Sequence, residues 1–265
     1  MQKRILNRIL RKIFKKENRL FLYLSLVIIS ILFLSAYANK WSSGQTIESF
    51  VITGNKFIPT DELLGNVDSS LIECLRNDVE LLELKDEIVK HPYILTSYVM
   101  QKNSSVIEIE VTERIPIALL VKNDGNLCYC DAMGYILPYR LSLQFHELPI
   151  LRNLFIYDKV DTNALLDAVS ILKRLDKPEF SRFERIVSEL EYDRKRKSFI
   201  ITTGDNAYKV IFGNAKDINK KLDLICDFFE NSLQEIKTSD IKYIDTRWDE
   251  RIIVQMNDIN EQPSM

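Results

Sequence analysis

Glycine and proline are scarce in this chain, seven of each in 265 residues. That excludes collagen-like and low-complexity architectures. Histidine is scarcer still: His91 and His146 are the only two, and neither stands at the spacing of a metal site or a catalytic triad. His91 precedes Pro92 at the end of a helical pattern, which predicts a capping role. No phosphate-cradling Gly-rich loop and no dinucleotide fingerprint occurs. The four cysteines, Cys74, Cys128, Cys130 and Cys226, match no zinc pattern, because Cys128-x-Cys130 lacks a second pair and a neighbouring His. Cys128 and Cys130 fall on one face of one strand, and all four read as small buried apolar residues, with a disulfide left open. The inventory predicts no cofactor, no metal and no small-molecule substrate.

The net charge of −2 conceals two opposite parts. Residues 1–19 hold eight Lys and Arg against Glu17 alone, a surplus of seven, so the remainder carries −9. An acidic body without clustered cations does not read as a nucleic-acid binder. The basic end is explained by its neighbour: residues 20–38, LFLYLSLVIISILFLSAYA, hold no charge. As a helix they would span roughly 28 Å, one bilayer core. The positive-inside rule then keeps residues 1–19 in the cytoplasm and exports everything beyond residue 38. Ala36-Tyr37-Ala38 fits a signal-peptide cleavage pattern, but the apolar run exceeds the usual length for one, and Tyr37 and Trp41 stand where an interfacial aromatic belt would be. The expectation is an uncleaved anchor, with the basic residues 3–16 setting topology and touching anionic lipid.

After a polar linker at 42–46, residues 47–53 read as a strand closed by the turn Gly54-Asn55. Thr60 caps a short helix through Leu64. Residues 78–90 carry Val79, Leu81, Leu82, Leu84, Ile88 and Val89 at helical spacing, and Pro92 stops that helix. Residues 93–101 read as a strand, 103–105 as a turn, and 106–112 alternate as a second strand. The predicted order is β-α-α-β-β. With the apolar-x-Gly-Asn turn it resembles a POTRA domain, a small extracytoplasmic interaction module.

A second α+β domain is predicted from 114 to 256, mostly antiparallel with flanking helices. Its signals are a strand at 118–121, the hairpin signal Asp124-Gly125 before 127–130, and a second turn, Asp131-Ala132-Met133-Gly134. An amphipathic helix follows at 161–175, capped by Asp161 or Thr162. Strands are predicted at 185–192, 198–203 and 207–212, a helix at 217–235, and closing strands at 241–246 and 251–256. The loop 139–147 matches no element, and residues 257–265 form a tail.

Basic tail 1–19, anchor 20–38, POTRA-like domain 46–113 and β domain 114–256 is the plan of the FtsQ/DivIB cell-division proteins, and local motifs are similar too. Val111-Thr112-Glu113-Arg114-Ile115-Pro116-Ile117-Ala118 resembles the family's V-x-E-R-x-P-x-A junction. The segment from Asp131 to Pro138 resembles its D-x-x-G hairpin, and Leu148-Pro149 the L-P after it. Ile244-Asp245-Thr246-Arg247-Trp248, running on to Val254, resembles the closing D-x-R segment. Trp248 departs from the family's Tyr or Phe, and Glu250-Arg251 from its Gly-containing turn.

The resemblance implies a non-catalytic, single-pass scaffold of the divisome. It would sit in the inner membrane with its C-terminal domains in the periplasm, enriched at the septum. It also implies extracytoplasmic partners of the FtsB and FtsL type, bound at the last strands, and a POTRA domain that recruits the protein. The candidate partner-binding residues are Arg247, Trp248, Glu250, Arg251, Ile253 and Gln255. If the last strand is also last in its sheet, its unpaired backbone is a template for another strand. Trp248 would anchor a partner or pack on its own sheet, and Arg247 and Arg251 would pair with the partner's acids. Asn55, Lys56 and Phe57 are candidates for a recruiting surface, although Phe57 is expected to staple the helix start. The turn Arg194–Lys197 reads as solvated, or as a contact for anionic lipid or an acidic partner.

Two other classes compete with this reading. Ser170-Ile171-Leu172-Lys173 fits the S-x-x-K of serine hydrolases, but no S-D-N occurs, Lys237-Thr238-Ser239 lacks the Gly of K-T-G, and Ser170 falls on a helix surface. A POTRA-bearing outer-membrane assembly or secretion factor would carry more such units and the strands of a barrel.

Overall fold

A computed structural model describes residues 19–42, 47–65, 67–68, 78–103, 105–143, 145, 147–204, 207–232, 241–248 and 250–257. The basic residues 3–16, Cys74, His146, most of the 42–46 linker, the end of the 217–235 helix and all but the first residue of the tail lie outside them. The first element is a helix, α1 (Arg19–Ser42). At 1.5 Å per residue its 24 residues measure about 36 Å. Its side chains are described at Phe21 and from Tyr23 to Ala38, and all of these are exposed. Among residues with described side chains, no helix is long and apolar enough to cross a membrane.

Beyond α1 the order is β1 (Ser49–Thr53), α2 (Thr60–Gly65), α3 (Asp78–Val89), β2 (Ile94–Asn103) and β3 (Val106–Glu113). The strands form a sheet in the order β1-β3-β2, with β1 parallel to β3. In β3 the predicted alternation is realised: Ile107, Ile109 and Val111 are buried, Glu110 and Thr112 exposed. Leu84 and Ile88, one turn apart on α3, are buried, whereas Leu82 is 58% exposed. The side-chain amide oxygen of Asn103 accepts the Ser105 N–H at 3.0 Å and closes the turn before β3.

Contacts divide the chain into two compact units. The first takes residues 1–55, 59–90 and 96–111; the second takes 56–58, 91–95 and everything from 112 on. The division is therefore not a single cut near residue 113.

The second unit is built on a nine-stranded sheet in the order β14-β13-β12-β11-β10-β7-β4-β5-β6. Its strands are β4 (Pro116–Val121), β5 (Leu127–Asp131), β6 (Ile136–Pro138), β7 (Ile150–Arg152), β10 (Val187–Asp193), β11 (Ser198–Thr203), β12 (Lys209–Gly213), β13 (Ile241–Asp245) and β14 (Ile253–Met256). A separate hairpin joins β8 (Phe155–Ile156) to β9 (Lys159–Val160). Among the described residues, three α-helices accompany the sheet: α4 (Thr162–Leu175), α5 (Ser181–Glu184) and α6 (Ile218–Asp227). On α4 seven residues, from Ala164 to Leu175, are buried at helical spacing, and Asp161 is the cap, its carboxylate accepting the Ala164 N–H at 3.2 Å. Fully burying each Leu, Ile or Val of that face stabilises by roughly 1.5–3 kcal/mol. They share one core with Phe199, Ile201, Val210, Phe212 and Ile244 of the sheet.

The structure meets some expectations and corrects others. The sheet is mostly antiparallel, as expected, but three of its pairings are parallel: β7 runs parallel to both β4 and β10, and β12 runs parallel to β13. The chain reaches β10 and β13 through helices, and such crossovers deliver a parallel neighbour. His91, just past the end of α3, is buried, and its Nδ1 accepts the Tyr93 N–H at 3.3 Å. Cys128 and Cys130 are buried free thiols, and Cys226 is a half-buried one. Burial raises all three, Cys130 to about 12 and Cys226 to about 11. The unassigned loop 139–147 has a packing role: Leu143 is buried, the Tyr129 hydroxyl donates to its carbonyl, and Phe145 meets both Tyr129 and Phe57 edge-on.

Candidate functional site

One end of the nine-stranded sheet is β14, and it pairs only with β13 among the described residues. The predicted closing strand is shorter by two residues at its start, since Arg251 and Ile252 precede the ladder. The register is antiparallel, with Asp245 opposite Ile253, Ile244 opposite Val254 and Tyr243 opposite Gln255. Alternation follows from the pleat. Ile252 and Val254 pack on the core, while Ile253 (40% exposed) and Gln255 face outward. The far edge of β14 therefore presents backbone N–H and C=O groups beside an exposed Ile.

The loop between β13 and β14 is organised by Asp245. This carboxylate is buried, and Arg247 closes on it in a two-pronged fork, Nε to Oδ1 at 2.9 Å and Nη2 to Oδ2 at 2.6 Å. The Arg247 N–H donates to the same Oδ1, and Thr246 holds the Ile211 carbonyl through its N–H and hydroxyl. Glu250 turns the chain back in the left-handed region at φ 57°. Sequence reasoning offered Arg247 to a partner's acids; the structure shows its fork engaged by its own chain. A D-x-R spacing at a strand end is the signal that could have found this pair.

Burial works against the charge on Asp245, but the hydrogen bonds from Arg247, with a smaller one from the Trp248 side chain, hold the carboxyl below its usual value. A carboxyl lowered in the folded state contributes stability above its unfolded value, near 3.9, and loses it as pH falls through the folded one. Asp245→Asn should therefore flatten the fall in urea midpoint below about pH 4. A variant with an unchanged acid limb would refute the assignment.

Trp248 is 54% exposed, so it does not simply pack on its own sheet. It lines a cleft of about 330 Å³ with Thr246, Arg247 and Glu250 on one side and Asp217, Lys220, Lys221 and Leu224 of the α6 region on the other. Lys221 donates to the Asn214 carbonyl at 2.8 Å and lies over the Phe212 ring. Arg251 and Glu250 are exposed. All six candidates thus share one exposed sheet end, and Arg247, itself exposed, also braces it through Asp245.

The recruiting candidates are not equally free. Asn55 is half-buried, with its amide 3.5 Å from the Thr60 hydroxyl. Lys56 is exposed. The Phe57 ring, expected to staple the start of α2, meets Phe145 at 5.0 Å, and its N–H donates to the Glu113 carboxylate at 2.9 Å. Ser170 is exposed on α4, and its hydroxyl donates to the Leu166 carbonyl. Among the described residues no three His, Cys, Asp or Glu stand close enough to hold a metal.

The family model described as FtsQ/DivIB, C-terminal related, matches residues 115–255, more than half of the chain. The chain belongs to the FtsQ/DivIB family. No curated protein matches it. The FtsQ/DivIB-related region begins one residue before β4 and ends within β14, so the nine-stranded sheet, all but its last residue Met256, belongs to it. Cell division is the process this membership implies.

Proposed function

We propose that the chain is a non-catalytic, bitopic scaffold of the bacterial divisome that docks FtsB- and FtsL-like proteins along β14. The observation that carries this reading is the terminal position of β14, with Ile253 and Trp248 exposed beside an edge that pairs with no other strand among the described residues. An extended partner segment added there gains main-chain hydrogen bonds, and the exposed aromatic and aliphatic side chains supply anchors. Residues 20–38 are its membrane anchor in this proposal: a charge-free apolar sequence on a helical backbone, exposed wherever its side chains are described. The basic residues before them keep the N-terminus cytoplasmic and place both units in the periplasm. The strand-helix-helix-strand-strand stretch within residues 46–113 acts as a POTRA-like recruiting module.

Photocrosslinking in cells from positions 248 and 253, with mass spectrometry of the adducts, tests the reading. Small bitopic coiled-coil division proteins are expected; barrel proteins or secretion substrates would transfer it to the assembly-factor class. Trp248→Ala or Ile253→Glu is expected to weaken partner binding by about 2 kcal/mol, some 30-fold, with the thermal midpoint nearly unchanged. Unaltered affinity in the folded double variant refutes the docking edge.

A further inference from the structure

The β8–β9 hairpin reverses direction through Tyr157 and Asp158. Two-residue hairpin loops favour Gly, Asn or Asp wherever φ is positive. Here a tyrosine holds φ 53° and is 87% exposed, with Ile156 beside it 43% exposed. A bulky aromatic in the left-handed region persists only where its surroundings fix it. They do so here: the Asn123 amide donates to the carbonyls of Phe155 and Tyr157, at 3.2 and 3.0 Å. The Arg194 guanidinium donates to the carbonyls of Asn153 and Phe155, at 3.1 and 2.9 Å. Arg194 thereby joins the hairpin to the basic turn that connects β10 and β11. That turn is exposed from Arg194 to Lys197, and Lys197 is also left-handed, at φ 49°.

We propose that the Ile156-Tyr157 tip and the basic turn together form a docking site for an anionic lipid surface. Residues 156–159 and 193–197 carry Lys159, Arg194, Lys195, Arg196 and Lys197 against Asp158 and Asp193, in a body that is otherwise acidic. Asp193 accepts from the Arg196 N–H and guanidinium, which leaves the lysines as the outward charge. A braced apolar and aromatic apex, tied by Arg194 to an exposed turn of long cations, is suited to the headgroup region, where Tyr keeps its hydroxyl wet and Lys stems reach outward. The choice of a membrane over an acidic protein rests on the reading that residues 20–38 anchor this chain. A tether holds the unit at high effective concentration beside a bilayer, so a weak surface contact suffices. Each cation near an anionic surface contributes a factor of about five.

The test uses the full chain, with Trp41 and Trp248 replaced by Phe and Tyr157→Trp as the probe, reconstituted into vesicles of phosphatidylcholine alone or with phosphatidylglycerol. Ile156→Trp is the second probe, in case the first misfolds. Brominated lipid is expected to quench the probe in the anionic vesicles, and Lys195→Glu with Lys197→Glu, or high salt, to abolish most of that quenching. An unquenched probe, or equal quenching in neutral vesicles, overturns the proposal. So does a probe that responds to soluble polyglutamate and not to lipid, which would assign the tip to an acidic partner. Resistance to alkaline extraction, read on the same vesicles, reports the anchor separately: a resistant chain with an unquenched tip keeps the anchor and discards the docking site.

Discussion

Asp131→Ala is expected to destabilise the second unit by about 3–5 kcal/mol, the range for removing one partner of a buried ion pair. Asp131 is 3% exposed. One carboxylate oxygen accepts the N–H groups of Met133 and Tyr135, both at 2.8 Å, and the other takes Arg114 Nη1 at 2.7 Å. The guanidinium also lies 4.1 Å over the Tyr135 ring. Alanine leaves an enclosed cation without its counter-charge and two turn N–H groups without an acceptor, and both terms act in the same direction. Asp131→Asn, which keeps an acceptor for the turn, should lose less. Arg114→Leu combined with Asp131→Asn should recover part of the loss, because no unpaired charge remains. Urea denaturation of the full chain in detergent micelles, read by hydrogen exchange over 116–138, measures all three. A cost below about 1 kcal/mol for the alanine variant would put the pair in the class of exposed surface bridges.

The same geometry explains why two separated motifs were legible in the sequence while their connection was not. Glu113-Arg114 and Asp131–Gly134 stand far apart along the chain, and alternation or turn chemistry finds each by itself. The structure joins Arg114 to Asp131, and turns Glu113 to accept the N–H groups of Phe57 and Ile58. Local signals therefore found β3, α4 with Asp161 as one of two cap candidates, and the β5–β6 turn. They did not find the parallel placement of β7 and β13, because strand order depends on pairing between distant residues. The β8–β9 hairpin was invisible for another reason: its strands are two residues long, and its turn carries Tyr157 where a glycine or asparagine would have signalled it. At the candidate site, Ile253 and Gln255 were named through the family resemblance, and the structure exposes both. The edge position of β14 and the capture of Arg247 by Asp245 required the fold.

The second large effect is expected at Gly54. Gly54→Ala should destabilise the first unit by about 2–4 kcal/mol, from two causes that can be separated. The residue holds φ +86°, a conformation side chains rarely adopt, and a Cβ there would stand 2.1 Å from the Val111 carbonyl oxygen. That oxygen belongs to the backbone of β3, which is fixed by its pairing with β1 from Ser49↔Val106 to Thr53↔Glu110. Relief therefore requires the two strands to part rather than a side chain to swing. Gly125 supplies the control: its φ is +84°, yet nothing lies within 4 Å of the added Cβ. Gly125→Ala should show the conformational cost alone, about 1 kcal/mol. Native-state hydrogen exchange over 49–53 and 106–111 is expected to lose about 30-fold or more of its protection in Gly54→Ala, with 198–203 of the second unit unchanged. Equal effects from the two glycine variants would mean that the strands yield to the Cβ, and that the Gly-Asn turn is set by conformation alone. The larger loss at Gly54 makes the Gly-Asn signature a packing requirement of the β1–β3 pair.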